Sequence, residues 1–412
     1  MCFTIVCEKY AERNYFYNLL NKSTICLLID SYSMKIGIVC YPTFGGSGVV
    51  ATELGKALAA KGHRIHFITY SQPVRLDSFS ENISYHEVSV SNYPLFEYAP
   101  YESALTSMLV DVAMHEGLDV LHVHYAIPHA SVAYLAKQIL ISKGIYIPVI
   151  TTLHGTDITL VGRDNSYEPV VTFAINQSDG VTAVSESLKR DTYANFEVTK
   201  HIEVIHNFID LKRFSKKPKD HFKRAIAPGG ERLLVHTSNF RKVKRVNDVI
   251  QVFAKIHKRI PSRLLMIGDG DERAGAEKLC RDLQLCDEVR FLGKQDAIEE
   301  ILSVCDLFIM PSETESFGLA ALEAMACQVP VISSNTGGMP ELNLDGVTGF
   351  TSNVGDIEDM AEKAYHILKD DQTLNIFKQN ALKRASDFDI NVILPRYENY
   401  YQSVIQNFTV AP

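Results

Sequence analysis

The sequence predicts an α/β protein built as two successive doubly wound units, each a parallel sheet flanked by helices. Short β-branched runs alternate with longer amphipathic segments along nearly the whole chain, as parallel strands joined by crossover helices require. The alternation pauses at a lysine-rich polar connection around residues 207–230 and then restarts. A length of 412 residues also exceeds what one hydrophobic core ordinarily serves.

Residues 1–33 hold only short apolar runs, broken by Glu8, Lys9, Glu12 and Arg13, so they do not form a signal peptide. Met34 opens "MKIGIVCYP", the pattern of a first strand at a natural N-terminus. Residues 1–33 are therefore expected to be upstream translation or a loosely attached tail, which the intact mass of the native protein tests. "KIGIVCY" and "RIHFITY" then flank the helical "VVATELGKALAAKG". "LDVLHVHY", "IPVITTLHG" and "GVTAVS" follow, each with a helix behind it, and "HIEVIHNFID" ends the series. The first unit is expected over residues 34–207 and the second over 208–385. In the second, "RLLVHTS", "SRLLMIGDG", "EVRFLG", "CDLFIMPS" and "PVISS" read as strands. Ligands of such sheets gather beyond the carboxyl ends of the strands, so two facing units put the main site in the cleft between them.

Hydrophobic residues make up 46% of the chain and charged residues 22%, a globular rather than a disordered or fibrous balance. A net charge of −8 argues against a nucleic-acid binder held by a broad basic surface. The one dense basic cluster, "RKVKR" at residues 241–245, then needs a local explanation. No apolar stretch reaches the roughly 18 residues of a membrane span, so no membrane association is expected. Eight cysteines are scattered without a C-x-x-C pair, several within apolar runs. Free thiols in a reducing cytoplasm explain them better than a disulfide framework or a zinc site.

The stretch "YPTFGGSGVV" places three glycines within four residues, after a strand and before a helix. Gly45, Gly46 and Gly48 can let an anion approach backbone N–H groups at a helix N-terminus, besides serving a tight turn with positive φ. A dinucleotide fold would want G-x-G-x-x-G and an acid about 20 residues on. The spacing here differs, and the second strand ends "FITYSQP" without a carboxylate, so a nicotinamide cofactor is not expected. His122, His124 and His129 in "HVHYAIPHA" lack an acidic or cysteine partner and make a poor zinc set. Inward and outward positions on a strand would explain His122 and His124. His154 in "TTLHGTD" sits where a strand runs into a loop, at the sheet's carboxyl edge, where a functional imidazole is favoured.

Strand, polar loop and basic residues opening a helix make "HTSNFRKVKRVNDV" a natural diphosphate clamp, with Arg241 forking two oxygens and Lys244 adding a point charge. In "PSETESFGLAALEAMACQVPVI", Glu315 lies in a loop, Gly318 turns the chain into a helix, and Glu323 follows eight residues after Glu315. Eight residues span about 12 Å along a helix, too far for the two carboxylates to serve one atom as an acid/base pair. They suit the two ends of a nucleotide sugar: hexose hydroxyls at Glu315 and ribose hydroxyls at Glu323. The N–H groups of Ser316, Phe317, Gly318 and Leu319 would face the diphosphate between them. Asp269 and Asp271 in "GDGD" read as a turn rather than a metal site.

These residues resemble the retaining glycosyltransferases of family 4, whose GT-B fold is two facing Rossmann-like domains. The likeness lies in the Glu-x7-Glu of "ESFGLAALE", the basic pair before it, the "GDG" turn, "PVISSNTGGMPE" and "GVTGF", and runs from Met34 almost to the C-terminus. "GIVCYPTFGGSGVVATELG", "HVHYAIPHA", "TTLHGTDIT", "HNFID" and "SNFRKVKRVNDV" resemble the bacillithiol-pathway branch of that family. The resemblance implies transfer of GlcNAc from UDP-GlcNAc to the hydroxyl of L-malate, with release of UDP. It implies that Arg241 and Lys244 bind the donor diphosphate, Glu315 the sugar and Glu323 the ribose, with Gly46 near the phosphate. Ser47, Tyr125 and Thr152 would line the malate pocket, His154 would stand close to the reacting sugar, and Asn207 would reach the cleft from the hinge. It also implies a last helix, within residues 386–412, that crosses back to the first domain, and a homodimer. Residues 1–33 have no counterpart in the family.

The family's usual chemistry is a same-face, ion-pair-like substitution in which the leaving phosphate takes the acceptor proton. Side-chain cations then offset the growing charge, so neither a metal nor a cofactor is expected. Other readings stay open on the residues alone: a family 4 enzyme with a different acceptor, a nucleotide-sugar 2-epimerase on the same fold, and a non-catalytic nucleotide-sugar sensor.

Overall fold

A computed structural model describes residues 33–76, 80–90, 98–160, 164, 166–217 and 220–408. The tail expected over residues 1–33 lies outside the described residues apart from Ser33. Strand β1 (Lys35–Val39) is buried beyond its first residue, as an apolar run covered on both faces demands. It joins β2 (Arg64–Thr69), β3 (Ile83–Glu87), β4 (Val120–His124), β5 (Val149–Leu153), β6 (Gly180–Ala183) and β7 (Ile202–Val204). The spatial order is β3-β2-β1-β4-β5-β6-β7, and every pairing is parallel. Helix α1 (Gly46–Ala60) covers one face over Ile36, Ile38 and Phe67. Helices α2 (Tyr101–Val112) and α3 (Ser131–Ser142) cover the other over Val39, Ile68, Leu121 and Val123.

The second sheet contains β8 (Arg232–Thr237), β9 (Ser262–Ile267), β10 (Val289–Gly293), β11 (Leu307–Met310), β12 (Val331–Ser334) and β13 (Gly349–Ser352). Its order is β10-β9-β8-β11-β12-β13, again wholly parallel. Helix α4 (Val246–His257) buries Val249, Val252, Phe253 and Ile256 on one face, while α5 (Leu319–Ala326) lies on the other with Ala321, Leu322 and Met325 buried. Asp306, at the foot of β11, is held by Lys223 and Lys378, which together with the Leu233 N–H keep its carboxyl below the ordinary range despite the cost of burial.

The chain then returns. Helix α6 (Ile390–Asn407) starts at the Asp389 cap and packs Ile393, Leu394, Tyr397 and Tyr401 into the core of the first unit. Tyr401 Oη meets His122 Nδ1 at 2.8 Å, Tyr400 donates to the Val181 carbonyl at 3.1 Å, and Arg396 donates to the Val204 carbonyl at 2.6 Å. Five cysteines are described; Cys40, Cys280, Cys305 and Cys327 are buried, Cys286 is exposed, and all are free. Among the described residues no helix is long and apolar enough to cross a membrane.

Candidate active site

A cleft of about 1220 Å³ separates the two units. Its walls are loops beyond the carboxyl ends of β1, β4 and β5 on one side and of β8, β9, β10 and β11 on the other. Arg241, Lys244, Glu315, Ser316, Phe317, Gly318, Leu319 and Glu323 line the second-unit wall; Gly46, Ser47, Tyr125, His154 and Asn207 line the first. Of the residues expected at the site from sequence, Thr152 is missing from the lining, as is Gly48 of the glycine run.

On the second-unit wall Arg241 is exposed and has no ion-pair partner among the described residues, so its guanidinium is free for an anion. Lys244 Nζ lies 2.5 Å from Glu315 Oε1, which also accepts from Ser312 Oγ at 2.9 Å. Arg245, next in the basic cluster, is structural: it adopts φ 51° and pairs with Asp248 and Glu313. Gly318 caps α5 at φ 94°, and a Cβ there would stand 2.3 Å from Met339 Sδ, so both backbone and space demand glycine. In the "GDG" turn, a Cβ on Gly268 would meet the Ser238 carbonyl oxygen at 1.8 Å; the turn packs against the β8 loop, and Gly268 and Asp269 reach the cleft lining.

Glu323 is buried, and burial raises its carboxyl above the ordinary value. Arg75 opposes that rise by pairing with Oε1 at 3.2 Å. Arg75 belongs to the loop after β2, so this ion pair joins the two units. Nothing in the local pattern "QPVRL" singles Arg75 out; its importance appears only once the units face each other. A second bridge is Glu341, whose carboxylate accepts from the backbone N–H groups of Glu186 and Ser187 and meets His206 Nε2 at 3.2 Å. Gly155 marks a third contact: φ is 117° and a Cβ would fall 1.7 Å from Ser316 Oγ. The cleft is thus closed around its edges.

On the first-unit wall, Tyr125 donates to Ser47 Oγ at 2.7 Å. Asn207 is 6% exposed and lines the cleft, and its buried Oδ1 has no hydrogen-bond partner. Asp157, not singled out from sequence, accepts from the Ala126 and Gly155 N–H groups and so ties the β4 and β5 loops together; burial raises its carboxyl. His154 Nε2 meets His124 Nδ1 at 2.7 Å, which leaves Nδ1 as the nitrogen available to a ligand. Burial pushes His154 and His122 down to about 3 and His129 to about 4, so these imidazoles are neutral.

Three expectations need correction. Thr152 is fully buried under the cleft floor, where its Oγ1 bonds His122 Nε2 at 2.7 Å and Thr182 Oγ1 at 2.6 Å; Thr156, in the loop beyond, lines the cleft instead. His122 and His124 do not point to opposite faces: positions two apart on a strand share a face, and their ring centroids are 4.4 Å apart. None of Gly45, Gly46 and Gly48 has positive φ. Gly48 is needed because a Cβ would meet the Tyr41 carbonyl oxygen at 2.4 Å, whereas Gly46 leaves room toward Leu319 across the cleft.

Residues 44–213 match the family described as Glycosyltransferase Family 4, and residues 217–384 match Glycosyl transferases group 1. The chain is 47% identical to an N-acetyl-alpha-D-glucosaminyl L-malate synthase of Bacillus anthracis, over 91% of this chain and 98% of that protein. Among solved structures, Anabaena HepE, crystallised with UDP and glucose, is similar with a TM-score of 0.77 and 21% identity, covering 90% of this chain and 100% of HepE. A sucrose-phosphate synthase from Thermosynechococcus elongatus is similar with a TM-score of 0.75 and 20% identity, covering 91% of this chain and 100% of that one. Two parallel sheets facing across a loop-lined cleft, matched along both halves, make this chain a member of the family 4 glycosyltransferases with the GT-B fold.

Proposed function

We propose that the protein is a retaining glycosyltransferase that moves GlcNAc from UDP-GlcNAc to the hydroxyl of L-malate, releasing UDP, as the first step of bacillithiol biosynthesis in the cytoplasm. The observation that carries this reading is the 47% identity with the Bacillus anthracis synthase along nearly all of both chains. The cleft supplies matching chemistry on its two walls. Arg241 and Lys244 take the donor diphosphate, with the N–H groups of Ser316, Phe317, Gly318 and Leu319 beside it. Glu315 receives hexose hydroxyls. Glu323 keeps Oε1 on Arg75 and offers Oε2 to the ribose. Opposite, Ser47, Tyr125 and the side-chain amide of Asn207 receive malate, with Gly46 giving close access to the start of α1.

In this reading the bond from the anomeric carbon to the phosphate oxygen breaks as the malate hydroxyl oxygen attacks from the same face. The departing phosphate oxygen accepts the hydroxyl proton. Arg241, Lys244 and the start of α5 stabilise the charge that grows on that oxygen. His154, neutral because it is buried, acts through a hydrogen bond from Nδ1 rather than as a cation. The inter-unit contacts at Arg75, Glu341 and Gly155 belong to a closed cleft that limits hydrolysis of the donor. With two cations supplied by side chains, the transfer needs no metal.

The test is UDP release from UDP-GlcNAc by the purified protein, with and without L-malate, in the presence of EDTA. The expected outcome is release that depends on malate and survives EDTA. Malate-independent turnover would point to hydrolysis or epimerisation, and binding of UDP-GlcNAc without turnover would point to another acceptor.

A further inference from the structure

Away from the cleft, two histidines and a glutamate converge on one face of the first sheet. β2 and β3 pair with His66 opposite Ser84 and Ile68 opposite His86, so His66 and His86 are diagonal neighbours on one face. That face is the one covered by α2, because Ile68 packs there with Leu105 and Leu109. The turn that follows α2, residues 113–117, brings Glu116 over the pair. His66 Nδ1 and His86 Nε2 are hydrogen-bonded to each other at 3.1 Å with ring planes 24° apart, so an ion between them would take the place of the shared proton. One ligand atom from each of His66, His86 and Glu116 lies within 4.8 Å of the other two. None of the three lines the cleft.

We propose that His66, His86 and Glu116 form a binding site for a divalent transition-metal ion, zinc by chemical preference, in which water completes the coordination. Zinc binds imidazole nitrogen at about 2.0–2.1 Å and favours four ligands; two nitrogens 3.1 Å apart then subtend about 100° at the ion, close to tetrahedral. Two imidazoles and one carboxylate are a borderline ligand set that suits zinc over magnesium or calcium, which prefer all-oxygen sites. His66 is 4% exposed and rigid within β2, whereas His86 and Glu116 are half-buried, so an ion can enter from the side of the edge strand. Surrounding charge is mixed: Glu116 and Asp111 favour a cation, and Lys35 and Arg64 oppose it. Lys35 Nζ is directed to the Glu116 carbonyl at 2.6 Å rather than competing for its carboxylate. An ion here would pin the edge strand β3 to β2 and to the end of α2. The role is structural, distinct from the transfer chemistry.

The full chain, stripped with chelator and dialysed, is titrated with zinc alone by calorimetry, and the thermal midpoint is followed in parallel. The account expects one equivalent to bind and to raise the midpoint. His86→Gln and Glu116→Gln, both at half-buried positions, should each weaken that binding at least about tenfold, since even losing a partner of a ligand costs as much. Both variants should keep wild-type UDP release in EDTA, because they lie outside the cleft. A wild-type chain that binds no zinc would overturn the proposal. So would binding left undiminished by both substitutions, which would assign the ion to the free thiols, Cys286 among them.

Discussion

Thr152 and His154 are two residues apart, yet their surroundings give them opposite duties. Thr152 Oγ1 is committed to His122 and Thr182 beneath the floor, while His154 spends only Nε2 inward. Thr152→Val should therefore leave the KM for malate unchanged and cost about 1–3 kcal/mol of stability, the penalty of stranding buried polar partners; urea unfolding beside steady-state kinetics checks both halves. At the proposed donor clamp, Arg241 is exposed and Lys244 half-buried, and their charge would hold the diphosphate and count most as the phosphate departs. Arg241→Ala should lower kcat/KM about 10²–10³-fold while leaving the melting temperature almost unchanged, whereas Lys244→Met, which also strands the Glu315 carboxylate, should lower both. The basic cluster was legible as an anomaly in an acidic chain because charge is local information. The division of labour within it was not: Arg245 is spent on Asp248 and Glu313, and only the folded loop reveals that.

At the scale of elements, the loop after β2 and helix α5 meet through Arg75 and Glu323. Burial raises the Glu323 carboxyl, Arg75 and Arg213 lower it, and Glu299 raises it. Taking Arg75 away removes the largest opposing influence, so the folded pKa of Glu323 must move further up. Arg75→Ala should raise the KM for the nucleotide sugar by about tenfold or more, with a smaller change in kcat, and shift the acid limb of kcat/KM to higher pH. A pH profile that merely scales down would assign Arg75 a structural role only. The crossing helix α6 offers a complementary case: Tyr401→Phe leaves His122 Nδ1 without its partner and should cost about 1–3 kcal/mol with the kinetics intact. The buried strands were readable because each is a dense apolar run between turn signals. Two edge strands were not. β3, "ISYHE", has no buried residue and β13, "GFTS", has only its ends buried, so neither carries the hydrophobic signal of a central strand.

For the whole molecule, acid is the revealing variable. Burial holds His122 and His154 down to about 3 and His129 and His236 to about 4, and lowers His66, His86 and His124 as well. The unfolded chain takes up these protons near pH 6.5 while the folded chain refuses them, so stability is present above that pH and is lost as pH falls. Each fully buried histidine contributes up to about 1.4 kcal/mol per pH unit in that window. Asp157 and Glu323, whose carboxyls burial raises, work in the opposite sense but are fewer. The urea midpoint should fall steeply between about pH 6.5 and 5, and a flat profile would contradict the neutral histidine core. Periodicity and turn chemistry made the two-sheet plan legible because both act over a few residues. Contacts that close the cleft, from Gly155 against Ser316 to Glu341 against the Glu186 N–H, join residues more than 150 positions apart and leave no mark in any window. The central claim is that the two walls divide the substrates, acceptor on the first unit and nucleotide sugar on the second. It is tested most directly by measuring both KM values in Asn207→Ala and in Glu323→Gln. The account predicts that Asn207→Ala raises the KM for L-malate alone and that Glu323→Gln raises the KM for UDP-GlcNAc alone; two constants that rise together in both variants would contradict it.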